Sequence, residues 1–251
     1  MKISNLTLQC VQWIRHWFEN NGRGCNAVIG ISGGKDSTVT AMLCVEALGR
    51  DKVIGVLMPN GDQKDIEDSY KVVKTLGIRY FVHNIEDAVS STLNEMESNN
   101  VVISQQTVIN LPPRIRMAAL YAYSQSLNGR VANSCNLDEA MCGFETRYGD
   151  SAGDFSPLGK LFVSDVCEIG KYIAETHYPE LIDLVFKTPM DGLNTHEDGS
   201  YVTDEEILGV SYDTIEAHLT GVIHNNRVEH LIKSSEFKRK PMPTFNPYET
   251  L

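Results

Sequence analysis

Short apolar runs alternate with amphipathic segments over the first half of the chain. Residues 25–31 (CNAVIGI) and 52–58 (KVIGVLM) are apolar runs bounded by glycine- or proline-containing turns, which predicts two buried strands. Shorter runs at 79–82 and 130–134 predict two more strands. Apolar side chains recur every three or four residues in the segments between them, a spacing typical of amphipathic helices. The helices predicted in these segments span residues 36–48, 65–76, 85–96 and 113–127.

This alternation predicts an α/β, Rossmann-like protein whose parallel sheet has helices on both faces. An amphipathic helix over residues 6–18 precedes the first strand, and the second half of the chain is predicted to be helical with irregular loops. One helix is expected over 165–177. Thr203 and Glu206 fit a capping box, in which each side chain bonds the other residue's backbone N–H, so another helix begins there. The polar segment 194–201 is predicted to be a mobile loop.

Composition and charge narrow the function. The net charge of -11, from 33 acidic and 22 basic residues, disfavours nucleic-acid binding, which depends on a basic surface. No run of about 18 apolar residues is present, so no membrane span is expected. The six cysteines form no C-x-x-C pair, which is typical of reduced thiols in a cytoplasmic protein. The length of 251 residues fits one domain, with its core at 5–240 and a tail at 241–251.

Residues 29–37 (IGISGGKDS) follow the first predicted strand and form a candidate phosphate loop. Successive glycines let backbone N–H groups converge on an anion, and the following helix N-terminus favours negative charge. The loop matches neither G-x-x-x-x-G-K-[ST] nor G-x-G-x-x-G. Its S-G-G-x-D-S core instead resembles the pyrophosphate loop of the ATP pyrophosphatases. Because Asp36 would repel phosphate unless a cation lay between them, the loop predicts Mg²⁺.

Four further segments resemble those of the ammonia-dependent NAD synthetases, a family within the ATP pyrophosphatases. They are residues 59–65 (PNGDQKD), 110–117 (NLPPRIRM), 143–158 with its R-Y-G-D stretch, and 204–212 (DEEILGVSY). The phosphate loop alone identifies only the superfamily, whereas its combination with R-Y-G-D is specific. The resemblance covers residues 5–240 and implies an adenine nucleotide alpha hydrolase-like fold.

The resemblance implies an ATP-consuming amide synthesis. The carboxylate of deamido-NAD attacks the α-phosphate of ATP, pyrophosphate leaves, and ammonia converts the acyl-adenylate to NAD and AMP. The enzyme would position the reactants and neutralise phosphate charge. Ammonia is the expected nitrogen source, because a chain of this length has no room for the amidase domain of glutamine-dependent relatives. Whether a separate partner supplies the ammonia stays open.

The resemblance also assigns roles to individual residues. Asp36 and Glu139 would bind Mg²⁺, and Asp36 and Asp150 would be the catalytic residues, Asp150 by orienting or deprotonating ammonium. The deamido-NAD substrate would contact Arg114, Arg147, Asp154 and Lys238. ATP, as co-substrate, would contact Ile31, Ser32, Gly33, Gly34, Lys35, Asp36, Ser37, Leu57, Gln63 and Ser134.

Some of these residues have a second interpretation. Arg114 and Arg116 lie two positions apart on a predicted helix, so they point to different sides and one is expected to be structural. Lys238 belongs to a basic run and fits a solvated tail equally well. Glu139 fits a solvated carboxylate, although two carboxylates at the ends of neighbouring strands suit a shared cation.

The chain departs from the family where relatives carry a lysine that contacts ATP. Val163 stands at that position, which removes a charge that would stabilise the departing pyrophosphate. Lys35, Lys160 and Lys187 are candidates to replace it, and the sequence does not decide among them.

Members of the family are homodimers with the deamido-NAD site at the interface, so a homodimer is expected. One face of the helix predicted over 113–127 suits either such a contact or packing on the sheet of the same chain. This face is formed by Ile115, Ala118, Ala119, Ala122 and Tyr123.

Other functions remain in view. The same carboxylate chemistry would serve an amidase that acts on the shorter nicotinate mononucleotide. A tRNA-modifying thiolase or a GMP synthetase-like amidase would also use such a loop, although the acidic charge disfavours RNA. A non-catalytic nucleotide-binding module is disfavoured by Asp36 and Glu139, because binding alone needs no metal to polarise ATP.

Overall fold

The computed structural model describes residues 2–196 and 201–247. Its central sheet has four parallel strands in the order β3-β2-β1-β4. The predicted parallel sheet is thereby confirmed, and each strand lies within the segment predicted for it or starts one residue before it. The strands are β1 Asn26–Gly30, β2 Val53–Leu57, β3 Arg79–Val82 and β4 Gly129–Ala132.

Eleven α-helices are present among the described residues. They are α1 Ile3–Asn21, α2 Lys35–Leu48, α3 Ile66–Leu76, α4 Glu86–Ser98, α5 Gln105–Ser126, α6 Leu137–Cys142, α7 Val163–His177, α8 Ile182–Val185, α9 Asp204–Leu208, α10 Tyr212–Leu219 and α11 Asn226–Arg239. Short 3₁₀ turns lie at Arg50–Lys52 and Pro179–Leu181. None of the helices in the described ranges is long and apolar enough to cross a membrane.

Helices cover both faces of the sheet because side chains alternate along each strand. In β1, Ala27 and Ile29 point into a core shared with α1, α2, α3 and α7. Val28 points to the opposite face, where Ile85 before α4 and the inward side of α5 cover the sheet. A third apolar cluster, around Tyr212, joins α6 to the C-terminal helices. The predicted helices on both faces and the helical C-terminal part are confirmed.

Helix α5 begins earlier than the sequence pattern indicated. The sequence pattern predicts a helix over 113–127. The helix instead begins at Gln105, where the Ser104 side chain accepts a hydrogen bond from Thr107 N. Pro112 and Pro113 therefore lie inside the helix, where each lacks the N–H that would continue the backbone ladder.

The apolar face of α5 packs on the sheet of its own chain. Ile115, Ala119 and Tyr123 contact the second apolar cluster, which contains Val28 and Val56. Of the two roles left open for this face, packing on its own sheet is the one these residues fulfil. Ala118 and Ala122, which were grouped with them, are exposed.

The segment predicted as a mobile loop borders a two-stranded antiparallel sheet, formed by β5 Met190–Thr195 and β6 Tyr201–Thr203. The prediction of a loop over 194–201 was wrong at its two ends, because residues 194–195 belong to β5 and residue 201 begins β6. Residues 197–200 lie outside the described residues. The capping box at Thr203 is confirmed, since Thr203 Oγ1 accepts from Glu206 N and Glu206 Oε2 accepts from Thr203 N.

Candidate active site

The loop between β1 and α2 folds into a compact cradle. The Ser32 hydroxyl accepts from Gly34 N at 3.2 Å and lies 3.0 Å from the hydroxyl oxygen of Ser37. Ser37 Oγ donates to Gly34 O, which closes the loop. Gly34 is the N-cap of α2 and has no side chain to bond the first-turn N–H groups. These groups and the positive end of the helix dipole are therefore available to an anion.

Gly33 is required by both its backbone and its surroundings. Its φ is +79°, a left-handed conformation that favours glycine. A Cβ placed on Gly33 would lie 2.6 Å from Asp68 Cβ and 2.8 Å from Ser69 N. The cradle thus packs directly on the backbone of α3, and a side chain at position 33 would separate them.

A buried ion cluster lies beside the cradle. The ammonium of Lys35 is 2.6 Å from Asp36 Oδ2 and 3.9 Å from Glu139 Oε1. The same ammonium lies 5.5 Å from the centre of the Tyr212 ring, a cation–π contact. Burial alone would lower the pKa of Lys35, but the two carboxylates outweigh burial and raise it. Lys35 is therefore a charged ammonium held between two acids.

Glu139 is placed in this cluster by the start of α6. Asn136 is the N-cap, and its side chain accepts from Glu139 N at 3.0 Å while Glu139 Oε2 accepts from Asn136 N. This capping box fixes the carboxylate near Lys35 rather than in solvent. Burial and the charge of Asp36 raise the pKa of Glu139 well above its usual range. The site thus has an excess of buried negative charge that a further cation would relieve.

A cavity of about 830 Å³ opens beside the cradle, at the carboxyl edge of the parallel strands. Ligands in open parallel sheets characteristically bind at this edge. Most residues that the resemblance assigned to ATP line it, whereas Gly33 is absent from its described lining and Leu57 is fully buried in the sheet. The lining includes Ile31, Ser32, Gly34, Lys35, Asp36, Ser37, Gln63, Ser134, Glu139, Asp150 and Lys238.

Three of the residues matched to the deamido-NAD site form a basic group outside or at the edge of this cavity. Arg114 donates to Arg147 O at 3.3 Å, and the Arg147 guanidinium lies over the rings of Tyr148 and Phe237. Neither arginine belongs to the described cavity lining. Lys238 does line the cavity, and its ammonium donates to the carbonyl oxygens of two residues in the loop after α6, Gly143 and Glu145.

Asp154 lies apart from this basic group. Its Oδ2 accepts from Val131 N at 2.7 Å, and the Tyr121 hydroxyl lies 3.4 Å from Oδ1. It therefore fastens the segment after the R-Y-G-D stretch to β4. Like the two arginines, Asp154 is not part of the described cavity lining.

Asp150 lies within the cavity wall, where burial raises its pKa. Its Oδ1 accepts from Thr146 N at 2.8 Å, and its backbone carbonyl accepts from the Asn133 side chain. Arg116 also lines the cavity, and its Nε donates to Met58 O at 3.0 Å. Arg116, to which the resemblance gave no role, therefore lines the cavity, whereas Arg114, which was matched to the deamido-NAD site, does not.

Two buried residues of the site, Asp204 and Tyr212, received no role from the sequence. Asp204 lines the cavity, and the Tyr212 hydroxyl lies 3.3 Å from its Oδ2. Burial, then the charges of Glu139, Asp204 and Asp36, raise the pKa of Tyr212. Both belong to the segment 204–212 that carried part of the resemblance, so the signal was present but only the segment was recognised.

The residues present fit a magnesium ion only if a ligand completes its coordination. No group of three or more His, Cys, Asp or Glu side chains suited to a metal occurs in the described part of the chain. Asp36 and Glu139 offer two carboxylates, the hard oxygen ligands that Mg²⁺ prefers. Mg²⁺ commonly uses one or two protein carboxylates together with phosphate oxygens. The donor set matches that arrangement beside a phosphate cradle.

The parallel sheet, the glycine cradle at its edge and the adjacent acids define a nucleotide-binding α/β protein. A model of the NAD synthase family matches residues 6–244. The NH(3)-dependent NAD(+) synthetase of Pyrococcus horikoshii is 37% identical over 250 residues, covering 92% of this chain and 90% of that protein. The chain belongs to the NAD synthase family, and it is a ligase that forms a carbon–nitrogen bond.

Two solved structures share the architecture over nearly their whole length. The NMN synthetase from Francisella tularensis has a TM-score of 0.85 and 30% identity, covering 98% of this chain and 99% of that one. An NH3-dependent NAD synthetase from Campylobacter jejuni has a TM-score of 0.74 and 25% identity, covering 98% and 100%. The adenine nucleotide alpha hydrolase-like fold that the resemblance implied is confirmed.

Proposed function

We propose that the chain is an ammonia-dependent NAD synthetase that adenylates the carboxylate of deamido-NAD with ATP and then amidates it. In the first step a carboxylate oxygen attacks the α-phosphorus and the bond to the bridging oxygen of pyrophosphate breaks. In the second step ammonia attacks the activated carbonyl carbon, AMP leaves, and a proton is lost from nitrogen. The observation that carries the proposal is the cradle Ser32–Ser37 facing the cavity beside two partly buried carboxylates, those of Asp36 and Glu139.

The cradle would hold the phosphate chain through the first-turn N–H groups of α2 and the Ser32 and Ser37 hydroxyls. Asp36 and Glu139 would hold Mg²⁺, which would lower the charge repulsion between the phosphates and the attacking carboxylate. Asp150 lines the cavity, where a carboxylate suits binding of ammonium and acceptance of its proton. Gln63 and Ser134, which also line the cavity, would contact the nucleoside.

A second candidate substrate is nicotinate mononucleotide. It is favoured by the similarity to the NMN synthetase from Francisella tularensis. It is also favoured by Arg114, Arg147 and Asp154, which were matched to the dinucleotide site but do not line the cavity. Both substrates present the same ring carboxylate, so the catalytic steps are the same.

The test compares both acids in one assay. The protein is supplied with ATP, MgCl₂ and ammonium chloride, and pyrophosphate, AMP and amide product are quantified with deamido-NAD or nicotinate mononucleotide. We expect equal amounts of pyrophosphate, AMP and NAD with the dinucleotide. A higher kcat/KM with the mononucleotide assigns the second substrate. No AMP with either acid rejects the proposed function.

Glutamine in place of ammonium should give little product, because the relatives that this chain matches over 90% of their own length are named NH(3)-dependent. All six cysteines are free, which supports a reducing compartment and hence the cytoplasm.

A homodimer is proposed as well, supported by the exposed Val108, Ala118 and Ala122 on α5. Light scattering coupled to gel filtration would measure the mass in solution.

A further inference from the structure

Four basic side chains line the cavity, and their partners differ in kind. Lys187 is paired with Asp65 and Asp68 at 2.9 and 2.7 Å, so it ties the segment before β5 to α3. Lys238 donates to two backbone carbonyl oxygens. Arg116 donates to the backbone carbonyl oxygen of Met58 at 3.0 Å. Lys35 differs because its two partners are the carboxylates of Asp36 and Glu139, which the proposed reaction needs as ligands for Mg²⁺.

Lys35 is the first residue of α2 and lies within the cradle Ser32–Ser37. It is only 4% exposed, and it lines the cavity. If Asp36 and Glu139 turn toward a metal ion, the ammonium loses both ionic partners. An unpaired buried ammonium is costly, and phosphate oxygens in the adjacent cradle are the nearest anions that a nucleotide would bring.

The same ammonium lies close to the start of α7. Val163 is the first residue of α7, and its N–H donates to Asp138 Oδ2 at 2.7 Å. Burial raises the pKa of Asp138 to about 6 and also raises that of Cys167, while the Lys35 charge opposes both shifts. Lys35 and Val163 also border the same side chain, because the ammonium lies 5.5 Å from the Tyr212 ring and Val163 packs against the apolar cluster that contains Tyr212.

We propose that Lys35 is an exchangeable counter-ion: it pairs with Asp36 and Glu139 in this structure and moves to the ATP phosphates when nucleotide binds. It thereby supplies, from α2, the positive charge that Val163 cannot supply from α7. The inference rests on the proposed function for the identity of the anion, but the exchange itself concerns only Lys35, its two acids and a triphosphate.

The binding test uses the non-reactive analogue α,β-methylene ATP and isothermal titration calorimetry, with and without MgCl₂. Lys35→Met should weaken analogue binding by about tenfold or more, because a charge-assisted contact is lost. Mn²⁺ alone should bind the same variant more tightly than the parent protein, because the competing ammonium is gone. Unchanged affinities for both analogue and Mn²⁺ would overturn the proposal.

Lys35→Met leaves two buried carboxylates facing each other and is at risk of not folding. Comparing Glu139→Gln with the double variant Lys35→Met/Glu139→Gln avoids this problem. The summed charge of positions 35, 36 and 139 is zero in the first variant and -1 in the second. The double variant should bind the analogue about tenfold more weakly than Glu139→Gln alone. Equal affinity in this pair contradicts the proposal.

A rescue experiment tests the link to position 163. In the Lys35→Met background, pyrophosphate release should fall by about 100-fold, and Val163→Lys should restore about tenfold of it. Val163→Met in the Lys35→Met background is the matched control and should restore no activity. Lys160→Met in the parent protein is a second control: it is at an exposed position outside the cavity lining and should leave the rate unchanged. Equal rescue by both substitutions at 163, or a loss in Lys187→Met without one in Lys35→Met, would overturn it.

Failure of the proposed function gives a different result. The parent protein would then release no pyrophosphate with either nicotinate substrate, while the calorimetric arms would still report whether Lys35 contributes to binding of the analogue.

Discussion

Asn136 Nδ2 donates a 3.1 Å hydrogen bond to Asp36 Oδ1, joining residues 100 positions apart in the sequence. The Oδ1 of the same amide accepts from Glu139 N, and the backbone N–H of Asn136 donates to Glu139 Oε2, so one residue holds both carboxylates of the site. Asn136 is fully buried, so solvent does not compete for either bond. The relative position of the two acids is therefore set by a residue that is expected to contact neither nucleotide nor metal.

The two functions of Asn136 can be separated by substitution. Asn136→Ser keeps an N-cap oxygen but is too short to reach Asp36, whereas Asn136→Ala removes both interactions. We expect Asn136→Ala to lose about 1 kcal/mol more stability than Asn136→Ser, from loss of the cap. Both should slow pyrophosphate release by about tenfold, because Asp36 is released. Urea unfolding and a pyrophosphate assay check this, and a normal rate in Asn136→Ser would contradict it.

Glu139→Gln should separate stability from activity. Glutamine preserves the capping box with Asn136 and leaves Lys35 and Asp36 as a balanced pair. Because burial and Asp36 raise the pKa of Glu139, its ionised form is unfavourable in the folded protein. The variant should be about 1 kcal/mol more stable at pH 7 and release pyrophosphate about 100-fold more slowly. Chemical unfolding and initial rates measure the two effects, and a destabilised variant with full activity would refute both assignments.

Two adjacent glycines offer a matched pair. Gly33→Ala places a methyl group in a left-handed backbone and against α3, and should cost about 2–3 kcal/mol of stability. Gly34→Ala meets only Ser32 Oγ at 3.4 Å and has a φ of -78°, so it should fold normally. Its methyl group should nevertheless obstruct phosphate and raise the KM for ATP by about tenfold. Equal stability of the two variants would contradict this account of the cradle.

Asp138 should make stability fall as the pH rises. Burial raises its pKa in the folded protein to about 6, and among the described residues its Oδ1 has no hydrogen-bond partner. Between about pH 4 and 6 the folded state therefore binds more protons than the unfolded state, so stability decreases with pH across that window. The loss attributable to Asp138 is roughly 2–3 kcal/mol. Asp138→Asn keeps the acceptor for Val163 N and should make the profile shallower, and an unchanged slope would remove this explanation.

The sequence was sufficient for the sheet because its strands are short apolar runs ended by glycine or proline. The strand from Val53 to Leu57 and the helix closed by Gly77 were placed to within a residue or two. The sequence did not predict the start of α5 correctly. Pro112 and Pro113 indicate a helix start more strongly than the Ser104 cap does, although the helix begins after Ser104. The sequence also failed for β5 and β6, whose polar residues carry no period-two pattern.

The site was predicted in part for the same physical reason. Residues of the cradle are contiguous, so their convergence at a strand end follows from local geometry. The burial of Lys35 between Asp36 and Glu139 depends on α6 docking 100 residues later, which spacing does not encode. Tyr212 enters the same cluster only through packing of α10.

The central claim is that a carboxylate attacks the α-phosphate of ATP in this cavity. The most direct test is to label the carboxylate of deamido-NAD with ¹⁸O and to analyse the AMP formed with ATP, MgCl₂ and ammonium by mass spectrometry. Transfer of one ¹⁸O atom into the AMP phosphate, with pyrophosphate as co-product, is the predicted result. Unlabelled AMP, or ADP and phosphate in its place, would contradict the account.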